Sequence, residues 1–296
     1  MTSNIGWELY RSFLGVLKAG SLSGAARELG LTQPTVGRHV AALEAALGVA
    51  LFTRSQVGLA PTEVALGLRA HAEIMASTAA SLERAASGYG EGVRGVVRVS
   101  ASEVVGVEVL PPIVERLRRR HAELKIELVL TNRVQDLLRR EADIAVRMMR
   151  PEQAQLLARR VGNIEIGLHA RKDYLARHGA PRRVSELAGH ALIGYDQPSA
   201  FVRAASRSFT GFDRDAFSIR TDSDLAQLAL IRSGAGIGIC QAALAARDDT
   251  LARVLPGAFS MQLDTWVTMH EDLRNSPRCR VTFDALVEGL VAYARP

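Results

Sequence analysis

Cysteine is scarce in this chain of 296 residues, which contains only Cys240 and Cys279. Two cysteines imply no disulfide framework, and we expect the protein in a reducing cytoplasm. The N-terminus does not combine a basic start with an apolar run, so no signal peptide is predicted. The longest uncharged apolar run, residues 233–246, is too short and too rich in glycine to span a bilayer. No membrane partner is therefore expected.

Lysine is also scarce, since only three of the 37 basic residues are lysine in a chain of net charge +6 at pH 7. Residues 1–95 contain eight basic and seven acidic side chains, so this part of the chain is nearly neutral. Its bulk charge does not indicate nucleic-acid binding, and any such function has to follow from the placement of individual side chains.

Catalytic motifs are missing as well. The sequence has no HExxH, CxxC, GxSxG or phosphate-loop motif, and its seven histidines show no ligand-like spacing. The glycine segment Gly234–Gly238 follows a predicted helix and opens a strand, the reverse of a dinucleotide-binding loop. Asp143 precedes a buried strand, where we expect it to cap or pair locally. The sequence therefore predicts no enzyme, no catalytic residue, no metal site and no cofactor.

The segment Leu22–Arg54, LSGAARELGLTQPTVGRHVAALEAALGVALFTR, predicts two short helices joined by a tight turn. Gly30 follows the first helix, where a left-handed residue is common. Thr32 can cap the second helix, and Pro34 lies early in it, where its missing N–H costs nothing. The second helix turns an apolar stripe inward: Val36, Val40, Leu43 and Leu47.

Hydrogen-bonding side chains of the second helix fall off this stripe: Gln33, Thr35, Arg38 and His39. Such a pair of helices is typical of the helix-turn-helix arrangement, whose second helix enters a major groove. The residues after Gly48 predict a two-stranded β-wing with Arg54 at its tip, where a cation can meet phosphate. On local pattern alone, a plain helical hairpin with a solvated outer face is the alternative.

A long helix is predicted over residues 62–87, which are rich in alanine and contain no proline and only one glycine, Gly67. Heptad spacing relates Leu68, Met75 and Leu82, and this spacing predicts a dimer interface. The alternative is a single amphipathic helix packed on its own domain. The segment SGYGEG, residues 87–92, then predicts a flexible hinge.

Beyond residue 92 the predicted strands and helices alternate, which is typical of an α/β fold with mostly parallel sheets. Ligands in such folds lie at the carboxyl ends of strands. Ser100 and Ser102 stand between a strand and a helix start, where free N–H groups favour an anion, although Ser102 can equally be a simple helix cap. The next strand ends bring Asn132 and Arg147 to the same edge.

This chain resembles the LysR-type transcriptional regulators in the stretch Ala25–Arg54, in PTE at residues 61–63 and in ADIAVRMMRP at residues 142–151. The resemblance covers nearly the whole chain. Glycine at position 37 departs from the family, which usually has serine there. This chain therefore lacks one hydroxyl on its recognition helix. Val64–Ala65 also departs from the Ala-Gly pair that is common in the family.

The resemblance implies a winged helix-turn-helix over residues 1–62, a dimerising linker helix and hinge over 63–90, and an effector-binding domain over 91–296. That domain would consist of two α/β subdomains like those of a type 2 periplasmic binding protein, residues 91–161 with 267–296, and residues 162–266. Two crossover strands near residues 162 and 266 would join them.

The predicted DNA contacts are Thr32, Gln33, Pro34, Thr35, Arg38, His39 and Arg54. The predicted effector contacts are Ser100, Ser102, Asn132, Arg147, Asp222 and Ser223. The last two start a helix that the family often uses for this purpose, and the carboxylate of Asp222 leaves the charge of the effector open.

The implied partners are double-stranded operator or promoter DNA, a small-molecule effector, a homodimer or a homotetramer of two dimers, and RNA polymerase. The rival interpretation is a solute-binding or enzymatic α/β protein with an incidental helical N-terminus.

Overall fold

The computed structural model describes residues 5–55, 58–87, 92–132, 141–151, 155–197 and 214–295, with only the backbone described at residues 54 and 55. The chain divides into two compact units, one made mainly of residues up to Glu83 and the other mainly of residues from Arg84 onward. The predicted short helix at residues 134–140 and most of the predicted hinge lie outside the described residues.

The first unit contains three helices and a two-stranded wing: α1 (Trp7–Ala19), α2 (Leu22–Leu29), α3 (Gln33–Leu47), β1 (Phe52–Ser55) and β2 (Gly58–Pro61). Gly30 ends α2 with φ of 67°, a left-handed conformation that glycine adopts without steric cost. Strands β1 and β2 are antiparallel, and Arg54 lies opposite Leu59.

Apolar side chains from all three helices form the core of this unit. Phe13, Leu43 and Leu51 are almost completely buried, and the ring of Phe13 lies 5.8 Å from that of Phe52 in the wing. Val36 and Val40 of α3 face the same interior against α1 and α2. The predicted apolar stripe of α3 therefore faces inward, and the wing packs on the same core.

Helix α4 (Glu63–Ser87) begins at Thr62, whose hydroxyl accepts the N–H of Ala65 at 3.2 Å. One face of its first half packs in the core of the first unit through Ala65, Leu68, Ala72 and Ala76. Helix α4 therefore has the inward face that the single-helix alternative predicted.

A second face of α4 is exposed, with Met75 39% and Leu82 72% accessible in the single chain. Leu68 differs from these two heptad partners, because it is half-buried against the core of its own unit. The short side chains of the inward face allow this packing, while the two larger apolar side chains stay accessible to a second copy.

The second unit is built on one large sheet. Its strands are β3 (Gly95–Ala101), β4 (Leu124–Leu130), β5 (Ile144–Arg147), β6 (Leu156–Arg171), β9 (Gly238–Gln241), β10 (Leu251–Arg253) and β11 (Ser260–His270). Short strands β7 (Ile193–Gly194) and β8 (Ile219–Arg220) pair in parallel beside it. The helices are α5 (Leu110–Arg120), α6 (Lys172–His178), α7 (Asp224–Ser233), α8 (Ala242–Ala245) and α9 (Pro277–Ala294).

The expectation of mostly parallel sheets is wrong for the large sheet, which is mixed. Strand β3 pairs in parallel with β4 and β5, whereas β11 runs antiparallel to both β5 and β6, and β6 runs antiparallel to β9 and β10. Strands β6 and β11 are the two predicted crossover strands, and β11 pairs with β6 over its whole length, with a register shift between Thr265 and Trp266. Two long connecting strands of opposite direction impose this antiparallel centre.

Two lobes lie on either side of these connecting strands. The first lobe has a core between β3, β4, β5, α5 and α9, and its residues include Leu110, Ile144 and Phe283. The second lobe has a separate core around Leu168, Tyr174 and Ile237. Pro111 and Pro112 lie in the first turn of α5, directly after a π-helical turn, where their missing N–H groups are tolerated. Within the described ranges, no helix is long and apolar enough to cross a membrane.

Candidate nucleic-acid interface and ligand cleft

The start of α3 presents an exposed polar surface. The hydroxyl of Thr32 accepts the N–H of Thr35 at 3.3 Å and lies 2.8 Å from the hydroxyl of Thr35. Gln33, Pro34 and Arg38 are exposed beside this cap. A capped helix start with exposed amide and guanidinium groups can donate to both phosphates and base edges.

His39 differs from its predicted neighbours on this surface. It is half-buried, and its Nδ1 lies 2.8 Å from the hydroxyl of Ser12, which is completely buried in α1. One edge of the imidazole therefore faces the interior of the unit, and the prediction that the ring points outward is wrong for that edge. Position 39 lies at the border of the apolar stripe, and periodicity alone cannot decide the orientation there.

Glu44 is a residue that the sequence interpretation missed. Its carboxylate accepts the N–H of Leu51 at 2.7 Å and the N–H of Phe52 at 3.2 Å. These two hydrogen bonds join the last turn of α3 to the first strand of the wing. The backbone of Arg54 is thus held two residues beyond this link, while its side chain lies outside the described residues. The sequence did contain a signal for this role: an acidic side chain lies in the last turn of the helix, where the helix dipole disfavours it unless it has a partner.

Glycine at position 37 leaves space on the recognition helix. A Cβ at this position would meet only Leu22 Cδ1 at 3.7 Å, an ordinary van der Waals contact. The serine that the family usually carries would therefore fit here without displacing a neighbour.

A cavity of about 510 Å³ lies in the cleft between the two lobes of the second unit. Among the predicted effector residues, Ser102, Asn132 and Arg147 line it. Its walls are largely apolar: Val104, Val146, Met148, Met149, Ile166, Leu228, Ile239 and Leu263. Further polar groups come from the second lobe: Tyr195, Asp224, Gln227, Cys240 and Gln241. An apolar cavity with a few convergent polar groups is typical of a small-molecule site.

Ser100 does not line the cavity, because it is completely buried in β3. Its hydroxyl and its carbonyl oxygen accept hydrogen bonds from the guanidinium of Arg147 at 3.0 and 3.3 Å. A third bond from Arg147 to the carbonyl of Val146, at 2.9 Å, further restricts this side chain. Ser100 is therefore a residue that positions Arg147, which corrects its predicted role as a direct contact.

Ser102 lines the cavity. Its carbonyl oxygen accepts the N–H of Gly106 at 2.8 Å, so the residue stands at the start of the helical segment that follows β3. Its role as an effector contact or as a helix cap stays a prediction.

Asp222 is not part of the cavity either. It is exposed, and its Oδ1 accepts the backbone N–H groups of Asp196 and Gln197 at 3.0 and 2.9 Å. The carboxylate therefore stabilises the loop after β7, so the prediction that it lines the cleft is wrong. An Asp side chain that binds nearby N–H groups is a common turn device, and nothing in the local sequence distinguishes it from a ligand contact.

Ser223 connects the lobes without lining the cavity. Its hydroxyl accepts the N–H of Ala226 at 3.4 Å, as the cap of α7, and lies 3.2 Å from Oε2 of Glu103 in the first lobe. Its predicted effector contact is therefore replaced by a contact between lobes.

Asp224, two residues after the predicted contact Asp222, is the carboxylate that lines the cavity. Its Oδ1 accepts the hydroxyl of Tyr195 at 2.6 Å, and its Oδ2 accepts the side-chain amide of Asn132 at 2.9 Å. Burial raises the pKa of Asp224, and the nearby charge of Glu103 raises it further. Burial also raises the pKa of Tyr195, which therefore stays protonated as the donor. The run TDSD contained the signal, but local sequence could not select between its two acids.

A third polar link between the lobes lies outside the cavity. Arg232 of α7 donates to both carboxylate oxygens of Glu108 at 2.6 and 3.0 Å. These hydrogen bonds lower the pKa of Glu108, so the pair stays ionised near neutral pH. The lobes thus meet through this charged pair, through the Asn132–Asp224 hydrogen bond and through the Ser223–Glu103 hydrogen bond.

Asp143 pairs with Arg84, which is 59 residues away in the sequence, so it is a structural residue, but the expectation that it caps or pairs locally is wrong. The guanidinium of Arg84 donates to both carboxylate oxygens at 3.0 to 3.3 Å, and both side chains are more than nine-tenths buried. Among the described residues, no group of histidine, cysteine, aspartate or glutamate could hold a metal ion.

Two family models match this chain. Residues 7–66 match the bacterial regulatory helix-turn-helix protein, lysR family, and residues 90–291 match the LysR substrate binding domain. The HTH-type transcriptional regulator CrgA of Neisseria meningitidis serogroup C is 28% identical over 285 residues, covering 94% of this chain and 95% of the relative.

Solved structures give the same result. The structure of CrgA from Neisseria meningitidis, a LysR-type transcriptional regulator, has a TM-score of 0.60 at 27% identity and covers 96% of this chain and 98% of that one. The structure of full-length CbnR with its target DNA has a TM-score of 0.66 at 19% identity, covering 98% and 100% of the two chains, and this likeness concerns the fold.

The helix-turn-helix match argues against the rival interpretation, because the helical N-terminus belongs to the same family as the domain that follows it. The chain therefore belongs to the LysR family and is a DNA-binding transcriptional regulator with an effector-binding domain, not an enzyme.

Proposed function

We propose that α3 lies in the major groove of operator DNA and that the wing contacts the adjacent backbone. The observation that carries this proposal is the exposed start of α3, where Gln33 and Arg38 flank the Thr32 cap on the face opposite the buried stripe. Glutamine can bind adenine through two hydrogen bonds, and arginine can bind guanine or phosphate. The Glu44 link holds the wing next to the same helix.

The test is an electrophoretic mobility shift with the DNA upstream of the protein's own coding sequence. We expect specific binding that an excess of scrambled duplex displaces only weakly. This binding should weaken steeply as the salt concentration rises, because phosphate contacts release counterions. Equal affinity for both duplexes at every salt concentration would contradict sequence-specific recognition.

We further propose that the protein acts as a homodimer, or as a tetramer of two dimers, through the exposed seam of Met75 and Leu82 on α4. A dimer presents two recognition helices to two half-sites, and the half-site spacing follows from the separation of those helices. RNA polymerase is a further proposed partner at the promoter, and the proposed location is the cytoplasm.

The cleft between the lobes is the proposed effector site, with Ser102, Asn132 and Arg147 as contacts. A ligand that touches both lobes stabilises one degree of closure over others, and it can shift the DNA-binding state only by that difference in affinity. A thermal-shift screen of metabolites related to the neighbouring genes tests this site, because a specific ligand raises the unfolding temperature of the unit that binds it. We expect the stabilising ligand to lose most of its effect in an Arg147→Met variant.

A further inference from the structure

We propose that the ion pair of Arg84 and Asp143, called the clamp below, passes the state of the cavity to helix α4 through strand β5. In this role Arg84 and Asp143 are positioning residues that touch neither DNA nor effector. The proposal rests on the proposed function of the cavity, and it adds the route by which that cavity reaches the linker helix.

The clamp holds the last turn of α4. Nε of Arg84 lies 3.0 Å from Oδ2 and 3.3 Å from Oδ1 of Asp143, and Nη2 lies 3.2 Å from Oδ1. Arg84 is only 8% and Asp143 only 3% exposed. A buried pair of this geometry is directional and poorly screened, so a shift of one partner displaces the other.

Asp143 is also fixed to the sheet. Its Oδ2 accepts the N–H of Arg98 at 2.8 Å, and its own N–H donates to the carbonyl of Arg98 at 2.9 Å. Arg98 lies in β3, so the carboxylate that holds α4 cannot move independently of β3 and β5.

The other end of β5 lies in the cavity. Arg147 lines the cavity and donates to the hydroxyl and the carbonyl of Ser100, which is also in β3. Between these ends, Val99 pairs with Ile144 and Ser100 pairs with Ala145. Strand β5 is therefore attached to β3 through its first two residues, through Asp143 directly before it and through Arg147 at its end.

The spacing makes β5 a short connection. Asp143 stands directly before β5 and Arg147 is its last residue, so the two are at most about 13 Å apart along the chain. A closely packed strand of this length moves as one body, because its neighbours leave no space in which it could bend. A ligand that displaces Arg147 therefore displaces Asp143 and, through the clamp, the end of α4.

The test is a double-mutant cycle read by amide hydrogen exchange, which needs neither effector nor DNA. Arg147→Met alters the cavity end of β5, and the pair R84M with D143N removes the clamp without leaving one buried charge unpaired. Asparagine at position 143 keeps an acceptor for the N–H of Arg98.

In the wild-type background, we expect Arg147→Met to change the exchange rates of amides 84–87 at least fivefold. Without the clamp, the same substitution should change them less than twofold. The matched control removes another ion pair of the same lobe, with R119M and E115Q, whose side chains lie 3.6 Å apart at the surface of α5. In that background the fivefold effect should persist.

Equal effects of Arg147→Met with and without the clamp would overturn the proposal, and so would the absence of any effect in the wild-type background. Should the clampless chain fail to fold, Arg84→Lys replaces it, because lysine keeps the charge but cannot form the two-pronged contact. We then expect a reduced effect at amides 84–87, and an undiminished effect would contradict the clamp.

The affinity for upstream DNA provides the second measurement. Arg147→Met should change the dissociation constant about fivefold or more when the clamp is present and less than twofold when it is absent. If Arg147→Met changes the exchange of amides 84–87 only when the clamp is present, but the chain binds no upstream DNA, the clamp is supported and the proposed function is contradicted. Failure of the clamp and failure of the proposed function are therefore distinguishable.

Discussion

Asn132 donates its side-chain amide to Oδ2 of Asp224 at 2.9 Å, and this hydrogen bond joins the first lobe to the second across the cleft. The same asparagine accepts the N–H of Glu103 at 3.2 Å through its Oδ1. Both ends of one amide are therefore used, one to order the helix start of its own lobe and one to hold the opposite lobe. The contact lies in the wall of the cavity, so a ligand that enters must either keep it or replace it.

Replacing this amide is expected to loosen the closed cleft. In Asn132→Ala, the half-buried carboxylate of Asp224 loses a donor, which should cost about 1–3 kcal/mol of stability in the second unit. The lost bond also removes one of the two contacts that oppose the rise in the pKa of Asp224. Urea unfolding of the second unit measures the loss, and hydrogen exchange at the start of α7 locates it.

Asn163→Ala is the matched control for this experiment, because the amide of Asn163 accepts a hydrogen bond from Arg160 at an exposed position. If Asn132→Ala lowers the free energy of unfolding no more than Asn163→Ala does, the contact between the lobes contributes little to stability.

The structure shows why local signals predicted the N-terminal unit better than the cleft. Gly30, Thr32 and Pro34 act on their own helix ends, so their types specify the turn directly. The partners of Asp224 are 29 and 92 residues away, and no local pattern carries that information. Helix periodicity failed in the same way at His39, whose orientation depends on Ser12 in another helix.

Sheet direction could not be predicted from the order of elements either. Alternating strands and helices normally indicate parallel pairing, and β3, β4 and β5 follow that rule. Strands β6 and β11 instead cross between lobes, and their antiparallel pairing follows from that long-range connection.

Acid should destabilise the second unit through His169. Burial is the main cause that lowers the pKa of this histidine from 6.5 to about 4, and its ring is almost completely buried. The folded state therefore keeps His169 neutral while the unfolded chain binds a proton below pH 6.5. The stability that this group contributes is present above its unfolded pKa and is lost as the pH falls toward its folded pKa.

The loss should reach about 3 kcal/mol between the two pKa values. Urea unfolding from pH 7 to pH 4 should show this loss in the wild-type chain and a smaller one in His169→Gln. His178→Gln, at an exposed position of α6, is the control and should keep the wild-type profile. Identical pH profiles for His169→Gln and the wild type would contradict the assignment.

The seam on α4 predicts an effect on assembly. Met75→Glu should place an unpaired charge in a dimer interface and cost several kcal/mol of association energy, so the oligomer should dissociate at micromolar concentration. Light scattering measures the molar mass. Ala70→Glu adds the same charge to another exposed position of the helix and should leave the oligomer intact. A dimer that persists in Met75→Glu would remove this seam from consideration.

Glycine 37 offers a gain in stability. Gly37→Ser should stabilise the first unit by about 0.5 kcal/mol, because serine has the higher helix propensity and its Cβ meets only Leu22 at 3.7 Å. We also expect tighter binding to DNA of any sequence, since the added hydroxyl can donate to a phosphate. Gly37→Ala separates the two effects, as it stabilises the helix without adding a donor. If both variants bind DNA equally well, the hydroxyl makes no contact.

Recognition helix and wing should contribute to DNA binding in different ways. If Gln33 contacts a base, Gln33→Ala should cost about 1–3 kcal/mol on the operator and little on scrambled DNA. If Arg54 contacts only phosphate, Arg54→Ala should weaken binding on both duplexes and reduce the salt slope by about one unit. Binding to the two duplexes at several salt concentrations separates these outcomes.

Arg38 tests the same surface from its other side. It is exposed nearly two turns after the Thr32 cap, and we expect Arg38→Ala to behave like Arg54→Ala, because an exposed guanidinium at the groove can bind phosphate. Arg27→Ala, at an exposed position on α2, is the charge-matched control and should bind nearly as the wild type does. If the Gln33, Arg38 and Arg54 variants all bound the operator like the wild type, α3 would not lie in the groove. Its outer face would then be a solvated surface of a helical hairpin.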